Sequence, residues 1–142
     1  MNARRGVFQH GSLLTVCGIV FVLIACATEM RVDHTVALRT GTPAKITDVT
    51  LVYGDMRPIH LPALGMGGGS WTRTMTVPEA ATVTWSTEDG RKHEVSAPIR
   101  AKLPFSMAGN RVSFEIHGDK LKVFADKRLR DFKSERTQIY GN

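Results

Sequence analysis

The sequence predicts an all-β protein, a small antiparallel β-sandwich or open barrel, carried behind a cleaved signal peptide and a short tether. Three observations predict it. Ala81, Val83 and Trp85 alternate with Thr82, Thr84 and Ser86, the period of two of a strand with one buried face. Asp89-Gly90 then supplies the positive φ that a tight hairpin needs, and residues 92–99 return as the next strand. Val112, Phe114 and Ile116 alternate against Arg111, Ser113, Glu115 and His117, and Gly118-Asp119 turns the chain into Leu121, Val123 and Phe124. Short strands with turn signals at regular spacing are the pattern of a small sandwich or barrel. Roughly 100 ordered residues suffice to bury a core without disulfides.

The chain starts with a different texture. Arg4 and Arg5 are followed by an uncharged apolar run over residues 13–25. A basic start followed by a short apolar core reads as a secretory signal spanning residues 1–25. It falls short of the roughly 20 apolar residues that cross a bilayer. The run ends Leu23-Ile24-Ala25-Cys26, which resembles the bacterial lipobox. That resemblance implies diacylglycerol on the Cys26 thiol and, after cleavage, an N-acyl chain on the freed amine. No other cofactor is expected. Two or three acyl chains hold a protein to a membrane stably, where one does not. Ala27 follows the cysteine; by resemblance to enterobacterial sorting, a non-aspartate there favours the outer membrane, with the body facing the periplasm. Cys17 leaves with the signal, so the mature body has no thiol pair to staple it. Its 19 basic residues, less Arg4 and Arg5, stand against 13 acidic ones, a net +4. That mild excess suits anionic lipid or an acidic protein and gives no argument for nucleic acid.

Residues 26–44 show no clean period, and Gly41-Thr42-Pro43 interrupts them, so they read as the lipidated cysteine with a tether and at most an edge strand. The β domain is expected over residues 45–124. Within it, Thr47, Val49, Leu51 and Tyr53 share one strand face. Residues 54–70 hold five glycines and two prolines and read as a long connection, a class that in compact domains is usually functional or disordered. Residues 71–77 form a strand closed by Pro78, and residues 100–110 a second loop. Residues 125–142 read as a charged tail, or one short helix pairing Leu129 with Phe132.

Signs of catalysis are missing from the pattern. His34, His60, His93 and His117 lie far apart, with no spacing that would gather metal ligands. Gly65-Met66-Gly67-Gly68-Gly69-Ser70 lacks the lysine of a phosphate loop and opens a strand rather than a helix. No Gly-x-Ser-x-Gly elbow occurs. The expectation is a non-enzyme that works through a surface. Arg57, His60, Met66, Gly67, Gly68, Gly69 and Trp71 occupy or flank the glycine-rich connection and are the candidate partner contacts. Arg and Trp are enriched at binding hot spots, and Met adapts to irregular surfaces. Trp85 reads as core; Trp71 stands open between core and interface.

Tyr53-Gly54-Asp55-Met56-Arg57-Pro58-Ile59, the Gly67-Gly68-Gly69-Ser70 run, the strand ending in Pro78, Val83-Thr84-Trp85 and the basic hairpin strand after it resemble a family of small Gram-negative lipoproteins. Many of these are encoded beside type VI secretion spike and lipase genes. The resemblance covers about a third of the chain. Family members often carry a cysteine pair just after the glycine run; Trp71-Thr72 stands there here, so no redox role carries over. The resemblance implies an immunity lipoprotein whose partner is a secreted phospholipase. The alternative is an accessory structural lipoprotein of an envelope or secretion machine.

Overall fold

The structure is a computed structural model that describes residues 31–129 and 133–142; residues 1–25, where the signal is expected, Cys26 and Phe132 lie outside them. The described residues form nine strands: β1 (Arg31–Thr40), β2 (Ile46–Val52), β3 (Ile59–Leu64), β4 (Gly69–Thr76), β5 (Ala80–Ser86), β6 (Lys92–Pro98), β7 (Arg111–His117), β8 (Lys120–Arg128) and β9 (Ser134–Gly141). A 3₁₀ turn, Arg100–Lys102, lies between β6 and β7. The strands make two sheets, β4-β1-β7-β8-β9 and β3-β2-β5-β6. This is the expected all-β sandwich, open at its edges rather than closed into a barrel. All pairings are antiparallel except β1 with β7.

The two predicted hairpins are present, β5 with β6 and β7 with β8. Val83 and Trp85 from one sheet and Val112, Phe114, Ile116, Leu121 and Val123 from the other point inward and are almost wholly buried. Each such side chain contributes about 1.5–3 kcal/mol on leaving water. Trp85 is core, as its strand predicts. Its Nε1–H donates to the Gly118 carbonyl at 2.8 Å, so the buried indole keeps a partner.

The first correction concerns residues 26–44. Arg31–Thr40 is not a tether but β1, paired on one side to β4 and on the other to β7. Its inward positions are His34, Val36, Leu38 and Thr40. Two of the four are polar, which hides the alternation. His34 is tolerated inside because Val32 O lies 2.9 Å from its Nδ1 and the Tyr53 hydroxyl 3.0 Å from its Nε2. A carbonyl only accepts, so Nδ1 carries the proton and the Tyr53 hydroxyl donates to Nε2. Burial pushes the Tyr53 hydroxyl pKa up, with Arg100 pulling weakly against it.

The connection over residues 54–70 contains β3, an edge strand. Only an edge position accepts Pro62, which has no N–H to give to a ladder. The segment 125–142 is not a solvated tail: β8 continues to Arg128, and β9 pairs with it along its length, while the short helix expected to pair Leu129 with Phe132 falls on residues 130–132, outside the described residues. β9 buries only Ile139, with Tyr140 packed partly against the core, so it carries almost no period. In β2 the two faces interchange. Asp48 takes φ +50°, and β2 gains one residue against β5 between Thr47 and Thr50. This β-bulge turns both Ile46 and Val49 inward.

All strands run between two ends. The proximal end carries the start of β1, the β2–β3, β4–β5, β6–β7 and β8–β9 connections; the distal end carries the rest.

Candidate functional site

β3 and β4 are edge strands of opposite sheets and lie on the same side of the sandwich. Between them is a groove of about 280 Å³. Its floor is apolar, from Met56, Ile59, Leu61 and Trp71; Arg57, His60 and Arg73 form the rim. The lining holds no carboxylate.

Local chemistry fixes each part. Tyr53 follows β2 directly and lies inside the core, its ring 6.1 Å from Phe114 and edge-on to it. The chain then turns sharply: Met56 N–H donates to Tyr53 O at 3.1 Å, with Gly54 at φ +53°. A side chain at Gly54 would meet the Thr76 carbonyl at 2.4 Å, so only glycine fits. Asp55 locks this turn to β4. Its Oδ1 accepts from Thr76 N–H at 2.8 Å, its own N–H donates to Thr76 Oγ1 at 3.1 Å, and Oδ2 pairs with Arg31 at 2.9 Å. The Thr76 N–H, above all, holds the Asp55 carboxyl below its usual range; partial burial opposes this and Arg31 assists. The lock sets Met56 into the core and leaves Arg57 outside, at the groove's proximal mouth.

Trp71 sits on β4 opposite Val36, half-buried, with its face against the core. Gly69, two residues earlier on the same strand face, lets the indole fold back: a Cβ there would lie 2.7 Å from the ring. His60 is exposed on β3 and shares a hydrogen bond with Thr50 Oγ1 at 2.7 Å. That bond begins a polar cross-strand row, His60–Thr50–Thr84–Glu94, on the outer face of the sheet.

Three of the seven candidate contacts thus converge. Arg57, His60 and Trp71 line one groove; Met66, Gly67 and Gly68 do not. They form the distal turn between β3 and β4, closed by Gly68 N–H to Gly65 O at 3.1 Å, with Met66 80% exposed. Gly68 has a structural reason to be glycine: at φ +58°, a Cβ would meet the Leu38 carbonyl at 2.2 Å. Gly69 serves the groove only by seating Trp71. Arg73 and the floor residues Ile59 and Leu61 escaped the sequence reading. The alternation of Trp71 with Arg73 was a signal that both point to one face.

A second charged cluster lies on the outer face of the five-stranded sheet. Glu115 on β7 is nearly buried and accepts from Arg39 on β1 and Arg136 on β9, with His117 Nε2 3.3 Å away. Arg136 also covers the Phe124 ring at 3.9 Å. Burial pushes the Glu115 pKa up, but the hydrogen bonds from Arg136 and Arg39 outweigh it and leave the carboxyl below its usual value. Every member is partnered, which makes this a clamp across β1, β7 and β9 rather than a binding site.

Among the described residues, no three His, Cys, Asp or Glu side chains are placed to hold a metal ion, and no helix is long and apolar enough to cross a membrane. No family model, curated protein or solved structure matches the chain. What the fold and the groove define is a β-sandwich with a basic, apolar-floored cleft along one edge.

Proposed function

We propose that this protein is a lipid-anchored, periplasm-facing binding module, and that its groove receives an acidic, partly apolar segment of a secreted phospholipase, which it neutralises. One observation carries the binding reading. Arg57, His60, Trp71 and Arg73, spread over 17 positions of sequence, line a single groove with an apolar floor and cationic rim. Aromatic and arginine anchors around a small desolvated pocket are the composition of interface hot spots. The lipid on Cys26 and the lipase as partner come from the lipobox and the family resemblance. An inhibitor needs a rigid scaffold in the right compartment and no catalytic group of its own.

The experiment is a titration of candidate lipases encoded nearby with wild-type protein and with Arg57→Ala and Arg73→Ala. Both arginines are exposed, so neither change should disturb the fold. Each should weaken binding about thirtyfold, the ~2 kcal/mol typical of a hot spot. Binding by both variants at wild-type strength rejects the groove as the contact. Failure of every envelope lipase to bind the wild type leaves the accessory-lipoprotein role as the better reading.

A further inference from the structure

The two ends of the sandwich are unequal with respect to the anchor. Cys26 precedes Arg31 by five residues, a reach of at most about 18 Å when fully extended. β1 then runs ten residues, about 33 Å, to the distal end. A lipid on Cys26 therefore tethers the proximal end close to the bilayer and leaves the distal end far from it.

Two proximal loops present apolar side chains to solvent. Phe105, in the β6–β7 loop, is 97% exposed. Its loop has a fixed base. Met107 is buried in the core, Asn110 N–H donates to Met107 O at 2.9 Å, and Gly109 N–H donates to Asp33 O at 2.9 Å. Leu129, 40% exposed, begins the β8–β9 turn, and its N–H donates to Lys133 O at 2.9 Å. The two loops are tied together, because Arg128 N–H donates to the Asn110 side-chain oxygen at 2.9 Å. Arg100, Lys102, Arg128 and Lys133 flank Phe105 and Leu129. Carboxylates share this end: Asp33 and Glu79, whose backbones hold the first loop, Asp126, which lines one pocket with Arg111 and Arg128, and Glu135, opposite Lys127; among the described residues the cations still outnumber them.

We propose that this end is a membrane-docking surface. Phe105 and Leu129 enter the interfacial layer of the bilayer that holds the lipid anchor, and the flanking cations meet anionic headgroups. A single exposed aromatic on a braced loop is poorly suited to solvent, and the anchor brings a lipid surface within reach of it. Docking would add a second attachment to the acyl chains and fix the body's orientation. The groove along β3 and β4 would then open sideways, just above the headgroups, where an enzyme attacking phospholipid must work.

This inference rests on the lipidation of Cys26, and the test separates the two. The mature lipoprotein has no free thiol, so a cysteine introduced by Phe105→Cys, Leu129→Cys or Met66→Cys takes a polarity-sensitive fluorophore at one place. Each labelled full-length lipoprotein is reconstituted into vesicles of phosphatidylethanolamine and phosphatidylglycerol, with and without nitroxide lipids. Palmitate incorporation in cells is measured for each variant. Docking predicts a blue shift and at least threefold stronger nitroxide quenching at positions 105 and 129 than at distal position 66. Replacing phosphatidylglycerol by phosphatidylcholine should weaken that quenching. Palmitate incorporated with labels at 105 and 129 as aqueous as at 66 overturns the docking surface alone. No palmitate overturns the anchor and the docking with it. No lipase enters the measurement, so its outcome is independent of the groove.

Discussion

At the residue scale, the two tryptophans separate structural from surface work. Trp85 is 1% exposed, bonded to Gly118 O and stacked on His93 with ring centroids 5.1 Å apart. Truncating it to alanine should cost about 3–5 kcal/mol, a large part of the roughly 5–15 kcal/mol that stabilises a domain. Trp71 is half-buried over a glycine, and Trp71→Ala should cost less than half as much. Urea melts of the two variants beside wild type check this. Equal losses would make Trp71 a core residue and remove it from the groove. The sequence distinguishes the pair only partly. Trp85 sits in an unbroken alternation with threonines, whereas the neighbours of Trp71 are a glycine run on one side and Thr72-Arg73-Thr74 on the other. What places Trp71 is its pairing with the opposing β1, which is not a local property; Gly69, two residues away, only leaves room for the ring. Arg57 is similar: its exposure follows from the Asp55–Thr76 lock, a contact across 21 positions.

At the scale of elements, legibility followed how many inward positions were apolar. β5 and β7 put apolar groups at nearly all of them and are predicted within a residue or two; β8 is predicted only over its first half, because its charged Asp126-Lys127-Arg128 end hides the continuation. β1 fills half with His34 and Thr40, and β9 buries Ile139 almost alone. Both strands are held instead by side chains from distant strands, most visibly through Glu115, which joins Arg39 of β1 to Arg136 of β9. This clamp has a pH signature. The Glu115 pKa is lower in the folded protein than its ordinary value of about 4.5. Its contribution is therefore complete above that ordinary value and is lost as pH falls through the lower folded value. Glu115→Gln should destabilise by about 1–2 kcal/mol at neutral pH, a modest figure because both arginines are more than one-third exposed to screening water. The gap between variant and wild type should narrow as pH falls below that ordinary value. Asp55 titrates in both proteins and cancels in the difference. Thermal melts from pH 7 to pH 3 measure this, and a gap that stays constant or widens in acid would show that the carboxylate's charge is not what holds the clamp.

At the scale of the whole molecule, the decisive difference between pattern and structure is where the domain begins. The period of two starts near Lys45, and on pattern alone residues 45–124 make a complete β domain, with residues 125–142 a tail behind it. The sandwich needs β1. It lies between β4 and β7 in the five-stranded sheet, contributes the buried Val36 and Leu38, and carries His34 to the Tyr53 hydroxyl. No other strand can fill the gap. β4 is antiparallel to β1 and β7 parallel to it, so direct joining of β4 to β7 would demand a new register and leave the Tyr53 hydroxyl buried without its acceptor. An unpaired buried polar group alone costs about 1–3 kcal/mol. The lost side chains Val36 and Leu38 add roughly 2–5 kcal/mol each at the level of a core truncation. Together these approach the whole stability of a domain this size. Residues 31–142 should therefore fold in reducing buffer to a β-type circular dichroism spectrum with a cooperative urea transition, since no cysteine lies in that span. Residues 45–142 should show no cooperative transition. If the shorter fragment unfolds cooperatively near the same urea concentration, β1 is an addition to a self-sufficient domain, and the close spacing between Cys26 and the folded body loses its structural meaning.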